Sequence, residues 1–160
     1  MSQRRRVTSM EVEDGEGRSR RTVYPQNRDF GIDRAVVPAM KRRGRGKIVN
    51  IASMTVPTAP PGFAHYIASK AAIVGLTRAL ARELGVDRIC VNTLSPDYIA
   101  FDRDYDNRQP EMRQMLTAQR CIRRDETAGD LVGTLLYLLG PGSDFVTGQD
   151  IWVNGGRAFG

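Results

Sequence analysis

The sequence has little cysteine, histidine or tryptophan, and it has no long apolar run. Its two cysteines, Cys90 and Cys121, are far apart and outside any CxxC spacing, which argues against a disulfide scaffold or a metal site. No stretch approaches the about 20 apolar residues that span a bilayer, and no apolar segment follows the basic N-terminus as in a secretory signal. These absences favour a protein of the reducing cytoplasm without a membrane segment.

The charge is positive but unevenly distributed. Lysine and arginine number 24 against 18 acidic residues, which gives a net charge of +6. The basic residues fall in an N-terminal arm that also carries acidic residues, and in "MKRRGRGK" at 40–47. Neither cluster has interleaved aromatic residues or a nucleic-acid motif. We therefore interpret both clusters as solvated surface and predict no nucleic-acid partner.

The order of elements predicts an α/β fold. With 160 residues, of which 41% are hydrophobic, the chain can bury about one core. Residues 1–24 are polar and without periodicity, so we predict a disordered arm before a domain at 25–160. The domain alternates helices and strands, which predicts a parallel sheet of about three strands flanked by helices. The predicted elements are a helix at 28–43, a strand at 47–53, a helix at 63–85, a strand at 88–95, a helix at 125–140 and a strand at 148–156.

Local patterns refine these elements. Apolar positions mark a core face on the helix at 63–85, namely Ile67, Val74, Leu76, Leu80 and Leu84. Asp125 is a candidate N-cap of the following helix. The segment 96–112 is predicted as a long loop, and the loop that bears on the substrate is placed at 97–120. Its aspartates lack the glycine and terminal glutamate of an EF-hand, so a substrate lid is favoured over a calcium loop.

Three residues suggest proton chemistry. Tyr66 and Lys70 in "YIASK" are four residues apart, hence neighbours on one helix face. A free tyrosine has a pKa of about 10, and a nearby ammonium group favours its phenolate. Ser53 stands at the C-terminal end of the first strand, at the edge of a parallel sheet where ligands bind. A tyrosine and a lysine at this spacing are common in helices, so the pair alone is weak evidence.

The accumulated motifs resemble the short-chain dehydrogenase/reductase family from about residue 30 to 156. "GKIVNIAS" is similar to the family's serine strand, "YIASKAAIVGLTRALA" to its active-site helix and "VTGQDIWVNGG" to its closing strand. The resemblance implies a partial Rossmann-like domain that transfers a hydride between NAD or NADP and a small alcohol or ketone of 3-oxoacyl or sugar and polyol type. It implies a catalytic set of Ser53, Tyr66 and Lys70. It also implies cofactor contacts at Lys70, Pro96 and Ile99.

The sequence departs from the family in its cofactor-binding half. The family begins with a strand, a glycine-rich turn and a helix that faces the pyrophosphate, and no such unit is found here. Pro96-Asp97 also stands where the family has Pro-Gly. Two hypotheses therefore stay open: an active oxidoreductase, or a catalytically silent, truncated member that serves as an interaction module or is a gene remnant. The substrate and the choice between NAD and NADP are not predicted.

The resemblance also predicts association. The three strands would be consecutive in the sheet, which leaves the strand at 47–53 with an unpaired apolar edge. The helices at 30–43 and 63–85 would form a dimer face. We therefore expect a homo-oligomer or a complex with another chain, through these helices or through the edge at 47–53.

Overall fold

The computed structural model describes residues 9–13, 19–23, 29–100 and 110–160, with side chains from residue 35 onwards. Strands and helices alternate through most of this length, as predicted. The elements in chain order are β1 (Ser9–Glu13), β2 (Ser19–Val23), α1 (Asp29–Arg43), β3 (Gly46–Ile51), α2 (Thr55–Thr58), α3 (Ala64–Leu84), β4 (Ile89–Pro96), α4 (Pro110–Gln119), α5 (Ala128–Leu139) and β5 (Asp150–Val153).

The domain contains a three-stranded parallel sheet. Its order is β3-β4-β5, so the three strands are consecutive in space as well as in sequence. Ile48 lies beside Val91 in the β3–β4 register, and Leu94 lies beside Ile151 in the β4–β5 register. The predicted α/β class with about three parallel strands and flanking helices is confirmed.

Both faces of the central strand β4 are covered. All eight of its residues are buried. One face packs against α1 and α3 through a cluster that includes Ile48, Leu84 and Val91. Lys47 points to the opposite face because side chains alternate along a strand, and its ammonium group contacts Ser143 just beyond α5. Helices on both faces are the normal setting of a parallel sheet.

Helix α3 buries a different set of residues from the one that the sequence predicts. Of the five residues proposed for its core face, Val74 and Leu84 are buried, and the other three are half-buried. The remaining buried positions are Ile73, Thr77 and Ala81. Thr77 is tolerated there because its hydroxyl accepts a hydrogen bond from the buried Asn50 amide at 3.0 Å.

Within the N-terminal arm, the described residues form an antiparallel pair of strands, β1 with β2; the rest of 1–24 lies outside the described residues. Two predictions need correction. The predicted loop at 96–112 ends in α4, and positions 101–109 lie outside the described residues. Helix α5 is capped by Thr127 and Asp130, which form a capping box, rather than by Asp125.

Two apolar surfaces remain exposed. Strand β3 pairs with β4 alone within the described residues, and Ile51 at its end is 42% exposed. On α5, Val132, Leu136 and Leu139 are exposed at helical spacing.

Of the described helices, none combines the length and apolar character needed to cross a bilayer.

Candidate active site at the carboxyl end of the sheet

Ser53 lies just beyond β3, in a segment that still follows the sheet. The amide of Ala52 donates to the Leu94 carbonyl, and the amide of Met54 donates to the Pro96 carbonyl, each at 3.0 Å. Ser53 lies between these two anchored residues and is 9% exposed. Its backbone is therefore fixed at the carboxyl edge of the sheet, where the sequence places it.

Tyr66 and Lys70 share one face near the start of α3. The Lys70 ammonium nitrogen lies 5.8 Å from the centroid of the Tyr66 ring. The same ammonium group donates to the carbonyl oxygen of Ile51 at 2.9 Å. Because Ile51 is the last residue of β3, this contact ties the helix to the strand two residues before Ser53. The structure thus brings the three predicted catalytic residues to one end of the sheet.

The Tyr66 ring is partly open to solvent. It is 37% exposed and meets the Phe63 ring edge-on, with centroids 6.4 Å apart. The neighbouring His65 is exposed. An accessible phenol beside an ammonium group can exchange a proton with a bound oxygen atom.

The two other predicted cofactor residues lie at the end of β4 and just beyond it. Pro96 ends the strand, and its carbonyl is used by Met54, so it adjoins the Ser53 segment. Ile99 instead forms a parallel bridge with Glu126. The intervening amide of Asp97 donates to the Val153 carbonyl at 3.2 Å and to a Glu126 carboxylate oxygen at 3.3 Å. The Asp97 amide therefore makes its hydrogen bonds within the chain.

A buried charge cluster supports this loop, and sequence reasoning missed it. The Asp97 carboxylate accepts hydrogen bonds from Arg157 Nε at 2.8 Å and from Arg120 Nη2 at 3.0 Å. The Asp97 and Arg120 side chains are only 4% and 3% exposed. Arg120 also donates to the Tyr98 carbonyl at 2.9 Å, so it holds the loop backbone as well. The only signal in the sequence was the aspartate in place of the family's glycine.

Glu126 completes the cluster. Burial raises the pKa of its carboxyl group to about 7, and the neighbouring Asp97 charge adds to the rise while Arg120 opposes it. One of its carboxylate oxygens, Oε1, is buried without a hydrogen-bond partner in the described structure. Within the described ranges, no three histidine, cysteine, aspartate or glutamate side chains are grouped to hold a metal ion.

The family model described as enoyl-(acyl carrier protein) reductase matches residues 30–158. The chain belongs to the short-chain dehydrogenase/reductase family. Among curated members of this family, it is 34% identical over 127 residues to the 3-oxoacyl-[acyl-carrier-protein] reductase of Staphylococcus aureus. It is likewise 34% identical over 127 residues to nodulation protein G of Azospirillum brasilense. These matches cover 79% of the chain and 51% of each relative, so the chain spans about half the length of these proteins.

Solved structures of the family agree with this assignment. The 3-oxoacyl-[acyl-carrier protein] reductase of Brucella melitensis is 36% identical with a TM-score of 0.75, over 80% of this chain and 48% of that one. A gluconate 5-dehydrogenase of Burkholderia cenocepacia, solved with NADP and tartrate, is 30% identical with a TM-score of 0.74, over 81% of this chain and 51% of that one.

Proposed function

We propose that this chain acts as an NAD(P)-dependent short-chain oxidoreductase on a small alcohol or ketone of 3-oxoacyl or sugar and polyol type. The observation that carries the proposal is the contact between Lys70 and the end of β3, because it holds the ammonium group beside the Tyr66 ring and against the strand that ends two residues before Ser53. The names of the relatives support both substrate types. The free thiols of Cys90 and Cys121 agree with a reducing cytoplasm as the site of action.

The proposed roles follow from the resemblance to the family, and the positions of the three side chains support them. Tyr66 donates its phenolic proton to the substrate oxygen during reduction and accepts it back during oxidation. Lys70 stabilises the phenolate by its charge, and Ser53 orients the substrate oxygen. NAD(P), when bound, supplies or accepts the hydride.

The residues present fit the nicotinamide end of the cofactor. An ammonium group has three hydrogens, and the Ile51 carbonyl takes one, so Lys70 keeps donors for ribose hydroxyl groups. Pro96 and Ile99 would line the same end. We assign no described residue to the pyrophosphate.

Cofactor titration tests the proposal. NADH and NADPH should bind the purified chain with a dissociation constant in the micromolar range, measured by calorimetry and by cofactor fluorescence. Lys70→Ala should weaken binding at least about tenfold, because it removes charge-assisted hydrogen bonds. Arg78→Ala removes an exposed cation two turns along α3 and serves as the control.

No binding up to millimolar cofactor would contradict the enzyme proposal. The alternative, a catalytically silent family member that acts as an interaction module, would then be preferred. The open edge of β3 and the exposed Ile51 beside it are the observations that favour this alternative.

We also propose that the chain associates, either with itself or with another chain, through the edge of β3 or through α1 and α3. Sedimentation velocity should show a species larger than the 17.8 kDa monomer. If the strand edge mediates association, Ile51→Lys should favour the monomer, because a charge on an edge strand opposes pairing. Val86→Lys, at an exposed apolar residue after α3, is the control. A single monomeric species in the unmodified chain would exclude self-association and leave only a complex with another chain.

A further inference from the structure

The hydroxyl group of Ser53 receives two hydrogen bonds from one residue. The backbone amide of Thr55 donates to Ser53 Oγ at 3.2 Å, and the Thr55 hydroxyl donates to the same atom at 3.0 Å. A serine hydroxyl has two lone pairs and one hydrogen. With the Thr55 hydroxyl as the donor of the second bond, both lone pairs are occupied, and the remaining capacity of Ser53 is to donate its hydrogen.

The surrounding backbone leaves Ser53 little other freedom. Its two neighbours in the chain, Ala52 and Met54, are both hydrogen-bonded to the backbone of β4. The Ser53 carbonyl accepts a hydrogen bond from the Val56 amide at 3.1 Å. Rotation about the Ser53 Cα–Cβ bond is therefore the main motion left to the side chain. Thr55 opposes that rotation, and as a β-branched residue it has a restricted side-chain torsion of its own.

We propose that Thr55 is a positioning residue that makes Ser53 a hydrogen-bond donor to the reacting oxygen of the substrate. This inference rests on the proposed function, which supplies that oxygen. A donor aimed at a carbonyl oxygen stabilises the negative charge that develops there during reduction. It also leaves the Tyr66 phenol free to give its proton to the substrate, because Ser53 offers no lone pair to compete for it.

The same short helix provides a matched control. Thr58 lies one turn after Thr55, and its hydroxyl donates to the Met54 carbonyl at 2.7 Å. Thr58→Val therefore deletes a threonine hydroxyl and one hydrogen bond in α2 without removing a bond to Ser53. Thr55→Val deletes the hydroxyl that contacts Ser53, and Thr55→Ser restores a hydroxyl at that position.

The first readout is carbonyl reduction with an acetoacetyl thioester and with NADPH or NADH as the reductant. Thr55→Val should lower kcat about tenfold. Removing a donor that touches the oxyanion itself typically costs about 10²-fold or more, and Thr55 acts only through Ser53. The dissociation constant of the cofactor should stay within about twofold of the unmodified chain. Thr55→Ser and Thr58→Val should keep kcat within about threefold. An unchanged kcat in Thr55→Val would overturn the inference.

The second readout is the side-chain torsion of Ser53, determined crystallographically or by NMR couplings, which needs no turnover. We expect a single torsion in the unmodified chain, in Thr55→Ser and in Thr58→Val, but a changed or mixed torsion in Thr55→Val. If Thr55→Val fails to fold, Thr55→Ala replaces it in both readouts. An unmodified chain without turnover would count against the proposed function, whereas an unchanged Ser53 torsion in the Thr55 variant would overturn the role of Thr55 itself.

Discussion

Asp97→Asn should lower the free energy of unfolding by about 3–5 kcal/mol, the range for breaking a buried ion pair from one side. Both oxygens of the Asp97 carboxylate accept from arginine, with Oδ1 receiving Arg157 Nη2 at 2.7 Å and Oδ2 receiving Arg120 Nη2 at 3.0 Å. Asparagine keeps the shape of the side chain but removes its charge. Its amide NH2 group, a hydrogen-bond donor, would also face an arginine N–H group, which is a donor too. Two arginine side chains, 3% and 12% exposed, would then lack their shared counterion.

Urea unfolding followed by circular dichroism measures this effect, and Asp144→Asn is its control. Asp144 forms an ion pair with Lys47 at 2.8 Å, but its side chain is 72% exposed. An exposed ion pair contributes about 0–1 kcal/mol, so the control should lie within that range. Equal, small losses in both variants would mean that water reaches the arginines and that the cluster does not stabilise the loop after β4.

Elements with strong periodicity were predictable from the sequence. The helix predicted at 63–85 is observed at Ala64–Leu84, and the strand predicted at 88–95 is observed at Ile89–Pro96. Their patterns of apolar and small residues are local, so a short window contains the signal. The strand order also followed, because the resemblance to the family made the three strands consecutive, as they are in the sheet.

Long-range polar pairing was not predictable. Arg157 and Asp97 are 60 residues apart, and Arg120 and Asp97 are 23 apart. Each looks like an ordinary charged surface residue in the sequence, since charged residues are seldom buried unless paired. Only the fold brings the loop after β4, the end of α4 and the segment after β5 together. Their pairing also explains how a buried aspartate is accommodated where the family has glycine.

The helix cap was missed for a different reason. "TAGD" at 127–130 carries a threonine three residues before an aspartate, which is a visible capping-box signal. The predicted N-cap, Asp125, instead accepts hydrogen bonds from Arg113 Nε at 2.9 Å and from the Thr117 hydroxyl at 3.0 Å. Both donors lie on α4, a helix inside a segment predicted as loop. Because α4 was not predicted, the partners of Asp125 could not be predicted either.

The largest expected effect on activity comes from Tyr66, at the carboxyl end of the sheet. Tyr66→Phe should reduce the rate of carbonyl reduction by about 10² to 10⁴, the usual contribution of a positioned acid. Phenylalanine keeps the ring that meets Phe63 edge-on and lies 5.8 Å from the Lys70 ammonium nitrogen, but it has no proton to give. The measurement is kcat for an acetoacetyl thioester and, in the oxidative direction, for gluconate, together with the dissociation constant of the cofactor.

Tyr137→Phe is the matched control for this prediction. It removes a phenolic hydroxyl from a similarly exposed tyrosine, 49% against 37% for Tyr66, on α5 rather than α3. Tyr137→Phe should leave kcat unchanged. In the proposed role, the phenol acts on the substrate oxygen, so Tyr66→Phe should lower kcat while cofactor affinity stays within about twofold. A Tyr66→Phe variant with full activity would show that another group supplies the proton, and a parallel loss of cofactor binding would place Tyr66 in the binding site rather than in proton transfer.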